Sequence, residues 1–417
     1  MYLREKFASL NVAVHTENDE IALVRDLATE VADWSRTAEM TAIRDRWVGV
    51  TEMRPVDRPP VWCNPVGCWS ELLPPELLAC RNPELREMEE YFKKLLIKRA
   101  IGDDTWVHPR YDIAPVFEVE PANRWGFDIQ VEKLGEEGSA WRYLPALKEA
   151  ADFDRLTIPR YRFDPAATAR RKERYEALLG GAMPVRVNAL GAYFSVATIC
   201  VEAAMLRGME PLMMDMISEP ELVHRLMTVM MRGVMNQLDA LEASGLLFPN
   251  IDSAMLSSDP LRANPEKKYT LKDCWIHGNS QEFDQVSPQM FEEFLLNYQK
   301  PIFERFGAVC YGCCENLTRK LDAVLEIPNL KLLTCSAWTD LDTLVDKAGK
   351  RCCIMWRHKA SDVVCPHDLK DFEKQLKSHV ATLGDASFQV VLRELQTLMD
   401  HPDRLREWTD CCKAALA

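Results

Sequence analysis

Four short apolar runs decide the fold class: Ala308-Val309-Cys310-Tyr311, Leu332-Leu333-Thr334-Cys335, Cys352-Cys353-Ile354-Met355-Trp356 and Phe388-Gln389-Val390-Val391-Leu392. Each run is too short for a helix, but it has the continuous hydrophobicity of a strand that is buried on both faces. Amphipathic segments of helical length separate the runs. This alternation is typical of a parallel β-sheet covered by α-helices, and it predicts an α/β fold.

Three earlier runs extend the pattern toward the amino end: Val61-Trp62-Cys63, Pro184-Val185-Arg186-Val187 and Leu246-Leu247-Phe248. No low-complexity linker divides the 417 residues, so one large domain is the simpler interpretation. The widest gap lies between Phe248 and Ala308, and it predicts a long loop excursion at the end of its strand. If the strands form a barrel, such loops build the site at the carboxyl-terminal mouth.

The start of the chain has the spacing of an amphipathic helix, with apolar residues recurring from Ile21 to Val31. We therefore predict an N-terminal helical extension over residues 1–50 and the main α/β domain over residues 51–417. The first residues lack a basic region followed by an apolar run, so we expect no secretory leader.

Composition excludes several partner classes. The net charge of −13 leaves no broad basic face for nucleic acid or for an acidic membrane surface. No apolar stretch reaches about 18 residues, the length needed to cross a bilayer. The 14 cysteines indicate a reducing, cytoplasmic location, where thiols act as ligands, nucleophiles or small buried side chains.

Several stretches resemble the uroporphyrinogen decarboxylase superfamily, over roughly residues 45–412. They are RPVDRPPVW from Arg54, GMEPLMMDMISEPELVHRLM from Gly208, NSQEFDQVSPQMFEEFLLNYQKPIFERFG from Asn279 and CYGCCENL from Cys310. The resemblance implies a (β/α)8 TIM barrel with its site at the carboxyl-terminal mouth.

The superfamily contains both porphyrin decarboxylases and corrinoid-linked methyltransferases, so the site residues must separate them. The decarboxylases carry an Arg-Gln-Ala-Gly-Arg run after the first strand, whereas Cys63-Asn64-Pro65-Val66-Gly67-Cys68-Trp69-Ser70 contains no arginine. A polyanionic porphyrinogen needs those cations. The resemblance therefore implies a zinc-dependent corrinoid methyltransferase.

The family's zinc-binding His-x-Cys position reads Tyr311-Gly312-Cys313 in this chain. Cys313 and Cys353 have 39 residues between them, a spacing similar to the zinc motif of aryl-ether O-demethylating methyltransferases. The acidic ligand of that motif falls at Asp284, with Glu282 as the alternative. Two thiolates and one carboxylate would leave an open position for substrate oxygen.

Other ligand assignments stay open. Cys314 is the alternative to Cys313, and Glu394 on the last strand run is a further candidate. Cys353 is equally well interpreted as a small apolar side chain in the core. His277 falls within the excursion, where we expect a solvent-facing loop residue.

Polar and aromatic residues at strand ends give the remaining candidates. We predict that His358 protonates a leaving phenolate and that the substrate-binding residues are Asn250, Tyr311, Trp356 and Arg357. Arg357 and Arg393 together suit a substrate carboxylate, although either would equally form an ion pair at the barrel rim.

The main hypothesis is an enzyme that moves a methyl group from a small methylated substrate, such as an aryl methyl ether, to a Co(I) corrinoid (cobalamin). The chain has no Asp-x-His-x-x-Gly run, so a partner protein must supply the corrinoid. The alternatives are transfer from a methylcorrinoid to a thiol or folate, and a metal-free ligand-binding barrel. The oligomeric state stays open, with a homodimer among the options.

Overall fold

A computed structural model describes residues 14–133 and 141–417. Its centre is a six-stranded parallel sheet, with the strands in the order β1-β12-β11-β10-β9-β8. The strands are β1 Val61–Cys63, β2 Tyr111–Ile113, β3 Phe117–Glu120, β4 Gln130–Lys133, β5 Trp141–Leu144, β6 Arg160–Phe163, β7 Val185–Val187, β8 Trp275–Gly278, β9 Ala308–Tyr311, β10 Leu330–Cys335, β11 Cys353–Trp356 and β12 Phe388–Leu392.

Helices alternate with these strands along the chain, as the apolar runs predict. The helices are α1 Glu17–Trp34, α2 Ala38–Thr51, α3 Trp69–Leu72, α4 Pro83–Ile101, α5 Pro165–Leu179, α6 Ile199–Arg207, α7 Met209–Ser218, α8 Pro220–Ala243, α9 Pro288–Phe291, α10 Asn297–Phe303, α11 Leu321–Val324, α12 Leu341–Ala348, α13 Ser361–Val364, α14 Lys370–Leu383 and α15 Arg404–Leu416. The predicted α/β class with a parallel sheet is confirmed.

Successive residues of each central strand face two different hydrophobic cores. On β11, Ile354 and Trp356 belong to the core that α6 to α15 cover, whereas Cys353 and Met355 belong to the core that contains α1, α2 and α4. This alternation follows from the two-residue period of a strand. Both faces of the sheet are buried, which explains why its strands read as continuous apolar runs.

The N-terminal helical prediction is confirmed for the described residues. Thr16 begins α1 with a capping box in which its side chain and that of Asp19 bond reciprocally to backbone N–H groups. Trp47 on α2 is fully buried, and its indole N–H donates to the Asp104 carbonyl at 2.7 Å. Residues 1–13 of the predicted extension lie outside the described part of the chain. The division of the chain at residue 50 stays a prediction.

The region between Phe248 and Ala308 differs from its prediction. The run Leu246–Phe248 forms no assigned strand, whereas the unpredicted β8 pairs with β9. Met255 of the excursion is buried in the same core as the strand residue Cys310, and its carbonyl accepts a hydrogen bond from Gln389 on β12 at 3.0 Å. This part of the excursion therefore packs against one face of the sheet.

A second parallel pair, β2 with β7, lies outside the six-stranded sheet. Backbone hydrogen bonds join its flanking segments to neighbours: the Asp104 N–H donates to the Val61 carbonyl at 2.8 Å, and the Ala189 N–H donates to the Leu246 carbonyl at 3.0 Å. Closure of all eight parallel strands into a barrel stays a prediction. Within the described ranges, no helix has the length and apolar character needed to cross a membrane.

Candidate active site at the carboxyl end of the sheet

A tight turn follows β9 and carries two adjacent cysteines. Gly312 has a φ of 103°, in the left-handed region, and a Cβ there would lie 2.9 Å from Leu317 and 3.0 Å from Thr334. Only glycine fits such a position without strain. The turn therefore places Cys313 and Cys314 beyond the carboxyl end of β9, where parallel α/β folds carry their sites.

Glu315 fixes the position of this turn. Its buried carboxylate accepts hydrogen bonds from the Cys313 N–H at 2.8 Å and from the Ser280 N–H at 2.7 Å. Its carbonyl accepts a third hydrogen bond from the Ser336 hydroxyl at 2.7 Å. Glu315 thus connects the turn to the segments that follow β8 and β10. The sequence interpretation overlooked it, although an acidic residue directly after two cysteines was a visible signal.

The two thiols and one carboxylate lie within hydrogen-bonding distance of each other. The Sγ atoms of Cys313 and Cys314 are 3.5 Å apart, and the Cys314 thiol donates to Glu394 Oε1 at 3.3 Å. Glu394 has a φ of 61°. Left-handed backbone in a residue other than glycine is often found at functional sites, where the surrounding structure maintains it.

Arg357 is the cation of this cluster, and its side chain is only 1% exposed. Its Nη1 donates to the Cys313 carbonyl at 3.2 Å and to Glu394 Oε1 at 3.2 Å, and it lies 4.0 Å from Cys313 Sγ. A hydrogen bond from Cys314, together with Arg357 and Arg393, lowers the pKa of Cys313 to about 6 against the effect of burial. The lowered pKa favours the thiolate form of Cys313 at neutral pH.

A second group of polar side chains lines the same region. The rings of Tyr193 and His277 stack with centroids 4.4 Å apart, and the Arg393 guanidinium lies 5.4 Å from the Tyr193 ring centroid. Within the described residues, Tyr193 Oη, His277 Nδ1 and Arg393 Nη1 are buried without a hydrogen-bond partner. Both arginines lower the pKa of Cys313. Two arginines and two carboxylates, Glu315 and Glu394, therefore surround Cys313.

The expectation that His277 is a solvent-facing loop residue is wrong. His277 lies on β8 and is 2% exposed, and its Nε2–H donates to the Gly312 carbonyl at 3.0 Å. Burial lowers the pKa of His277 to about 3, so the ring is neutral. Its strand was missed because Trp275-Ile276-His277-Gly278 is short and has only two strongly apolar residues.

The structure does not bring Cys353 together with Cys313. Leu332 on β10 pairs in register with both Cys353 and Cys310, so Cys353 is level with Cys310. Cys313 follows Cys310 by three residues, which is about 10 Å along an extended chain. Cys353 is fully buried, and burial raises its pKa well above the ordinary value. The contacts of Cys353 are those of a core residue.

The two acidic candidates have other partners. Asp284 Oδ1 accepts a hydrogen bond from the Asn316 N–H at 2.6 Å. Glu282 interacts with the Cys200 thiol, and burial raises the pKa of its carboxyl group. In the part of the chain that the structure describes, no group of three or more His, Cys, Asp or Glu side chains is placed to hold a metal ion. The proposed zinc set therefore does not fit these positions.

His358 and Trp356 lie behind the sheet, in the helix-covered core. The Trp408 indole N–H donates to His358 Nε2 at 2.9 Å, and burial lowers the pKa of His358 to about 3. His358 is therefore neutral and holds no readily released proton. Trp356 is 3% exposed and packs against His358 and His379.

Tyr311 and Asn250 also have structural contacts. Tyr311 is fully buried between Phe291 and Phe303, and its hydroxyl donates to the Gln299 amide oxygen at 3.2 Å. The Asn250 side chain bonds to both the N–H and the carbonyl of Trp275, at 2.8 and 3.1 Å. Of the predicted substrate-binding residues, Arg357 alone contacts the Cys313 cluster.

A cavity of about 720 Å³ lies next to Arg357, at the carboxyl ends of β10 and β11. Arg357, Trp338 and Lys359 line it, and the Lys359 ammonium lies 4.9 Å from the Trp338 ring centroid. The lining also includes two predicted site residues, Trp356 and His358, and three acidic residues, Asp340, Asp342 and Asp362. Trp338 is 62% exposed. This volume is within the range of small-molecule sites, and its lining combines cations with an aromatic face.

Solved structures share this fold. A methyltransferase from Methanosarcina mazei matches with a TM-score of 0.52 and 13% sequence identity, over 89% of this chain and 97% of that chain. At that identity the likeness shows the fold alone. No protein-family model and no curated protein matches the sequence. The fold and site together define an α/β protein with a thiolate between arginines at the carboxyl end of a parallel sheet, and membership of the superfamily stays a prediction.

Proposed function

We propose that this chain is a methyltransferase in which the Cys313 thiolate is the nucleophile that attacks the methyl donor. One observation carries the proposal: the Cys313 thiol lies at the carboxyl end of a parallel sheet, 4.0 Å from the buried Arg357 guanidinium, which helps to lower its pKa. A thiolate is the reactive form of cysteine, and a cationic neighbour is the usual means of producing it.

The chemistry follows from the charges around Cys313. The thiolate attacks the methyl carbon of a small methylated substrate, the carbon–oxygen bond breaks, and the oxygen leaves as an anion. Arg357 and Arg393 stabilise that anion, since fixed cations act most strongly where charge develops in the transition state. His358 has no part in this step because it is neutral and already bonded to Trp408.

The final methyl acceptor in this proposal is the corrinoid of a partner protein: it would take the methyl group from the Cys313 sulfur, the sulfur–carbon bond would break, and the Cys313 thiolate would be restored. Two observations support this direction: the sequence stretches that resemble corrinoid-linked methyltransferases, and the fold shared with a methyltransferase from Methanosarcina mazei. A corrinoid supplies a cobalt nucleophile that no side chain provides. With it we propose a cytoplasmic location and a (β/α)8 barrel, in which β2, β7 and the six central strands are the eight parallel strands.

Methyl transfer to cobalamin tests the proposal. Purified chain is mixed with methoxyarenes and Co(I) cobalamin, and methylcobalamin is measured from its visible absorbance. We expect activity that Cys313→Ser reduces by at least about 100-fold, as for loss of a nucleophile. Cys352→Ser is the matched control, because that thiol is buried away from the turn. Full activity in Cys313→Ser would contradict the role of this thiolate.

A further inference from the structure

Cys313 and Cys314 differ from the other adjacent cysteine pairs in this chain. Both are partly exposed, and their sulfurs are 3.5 Å apart. In the pair Cys352-Cys353 both thiols are buried, and burial raises both pKa values. In the third pair, Cys411-Cys412, Cys412 is buried. Among the adjacent pairs in the described residues, only the pair after β9 therefore has both sulfurs partly exposed.

The two thiols of this pair are in different protonation states. Cys313 is the thiolate, stabilised by Cys314 and Arg357. The contact with Cys313 raises the pKa of Cys314, whose single proton lies within reach of both Cys313 Sγ at 3.5 Å and Glu394 Oε1 at 3.3 Å. An exposed thiolate beside a second thiol is the arrangement found in cysteines that are oxidised reversibly.

We propose that Cys313 and Cys314 are a reversible oxidation site, which a small-molecule disulfide of the glutathione type converts to a disulfide between the two neighbours. In the first step the Cys313 thiolate attacks one sulfur of the small disulfide, the sulfur–sulfur bond breaks, and one small thiolate leaves. Cys313 is then held in a mixed disulfide.

In the second step Cys314 gives up its proton and attacks the Cys313 sulfur. Glu394 is placed to accept that proton, since its Oε1 already accepts the Cys314 hydrogen bond. The second small thiol leaves, so that the two cysteines lose two electrons and the small disulfide gains them. Closing the bond brings the sulfurs from 3.5 Å to about 2.05 Å. Because consecutive Cα atoms are only about 3.8 Å apart, below the usual range for a disulfide, the peptide unit between the two cysteines must adjust as well.

Oxidation removes the thiolate, so any reaction that depends on it stops until a reductant restores the pair. This consequence rests on the proposed function, whereas the chemistry of the pair does not. A disulfide between neighbours closes a small ring, and strained or exposed disulfides are the ones that reductants open readily. The fraction of the pair that is oxidised would therefore depend on the ratio of small-molecule disulfide to thiol around the protein.

Peptide mapping by mass spectrometry tests the pair independently of methyl transfer. The full-length chain is incubated with glutathione disulfide, and the modification state of every cysteine is determined: free thiol, glutathione adduct or disulfide. We expect a disulfide between Cys313 and Cys314 in the native chain, and a stable glutathione adduct on Cys313 in Cys314→Ser. Cys365, which is also exposed, serves as the internal reference, and we expect slower modification there. Dithiothreitol should restore both thiols.

Three results would overturn the inference: an adduct on Cys313 that persists in the native chain, modification of Cys365 before Cys313, or no reaction at the pair. Glu394→Gln provides a second measurement, because it keeps the shape of the side chain. We expect it to slow closure of the disulfide by about 10-fold while leaving formation of the Cys313 adduct unchanged, the order of effect of one acid–base group. The methyl-transfer assay is a separate experiment, and it tests the proposed function independently of the oxidation of the pair.

Discussion

Replacing Arg357 with methionine removes the cation that contacts Cys313 while keeping an unbranched side chain in the core. The Arg357 Nη1 lies 4.0 Å from Cys313 Sγ. Two unit charges at that distance interact by about 4 kcal/mol at an effective dielectric constant of about 20. This value is a ceiling because Cys313 is partly exposed. Since about 1.4 kcal/mol corresponds to one pKa unit, we expect the pKa of Cys313 to rise by about 1 to 2 units.

The pH dependence of alkylation measures this shift directly. Iodoacetamide reacts with the thiolate, so the rate at Cys313, read by peptide mapping, rises with pH and levels off above its pKa. In the native chain we expect the midpoint at about pH 6. In Arg357→Met the midpoint should move upward, and the rate at neutral pH should fall because less thiolate is present.

Arg357→Lys is the matched variant, since it keeps the positive charge but loses the planar guanidinium. We expect its midpoint to lie between those of the native chain and Arg357→Met. Circular dichroism of each variant verifies that the chain is folded. An unchanged midpoint in folded Arg357→Met would refute the contribution of Arg357 to the lowered pKa of Cys313.

Three further predictions concern the residues around the site. Cys353→Val should leave methyl transfer unchanged and should alter the free energy of unfolding by less than about 1.5 kcal/mol, because it keeps a small apolar side chain in the core; loss of methyl transfer in folded Cys353→Val would contradict the assignment of Cys353 to the core. Glu315→Gln should destabilise the chain by about 1 to 3 kcal/mol and slow alkylation of Cys313, because the amide cannot accept all the hydrogen bonds that fix the turn; unchanged stability and alkylation would show that Glu315 does not position Cys313. Burial lowers the pKa of both His277 and His358 to about 3, so the unfolded chain binds more protons than the folded one between about pH 3 and 6.5. The free energy of unfolding should therefore fall as the pH drops through that window, by up to about 1.4 kcal/mol per unit for each histidine, and His358→Gln should reduce the slope measured by urea unfolding by up to that amount; the same slope in that variant would mean that His358 is not neutral in the folded chain.

The strands that the sequence identified are those with an unmistakable local pattern. The four runs from Ala308 to Leu392 are strands β9 to β12, and Val61–Cys63 is β1. The run at Leu246 is equally apolar but forms no assigned strand, while β8 contains a histidine and was missed. Apolar content indicates that a segment is buried, but the hydrogen bonds of a strand depend on the neighbour it meets.

The candidate site was harder to predict than the strands. Arg357 was found because residues directly after strands gather at one edge of a parallel sheet, whereas Cys313 was found from the family resemblance. The resemblance also paired Cys313 with Cys353, yet the register sets Cys353 level with Cys310. Of the alternatives, Cys314 contacts Cys313, and Glu394 contacts Cys314. Tyr193 carried no sequence signal.

From its sequence alone, this chain shows that it alternates buried strands with helices and that it carries thiols and cations near strand ends. Those properties depend on residues close together in the chain, whose periodicity and chemistry can be read directly. Which thiol is ionised, and which histidines are neutral, was decided by the tertiary structure. The reason is physical: a pKa depends on burial and on charges a few ångströms away, and strand register brings those charges from residues 40 to 80 positions apart.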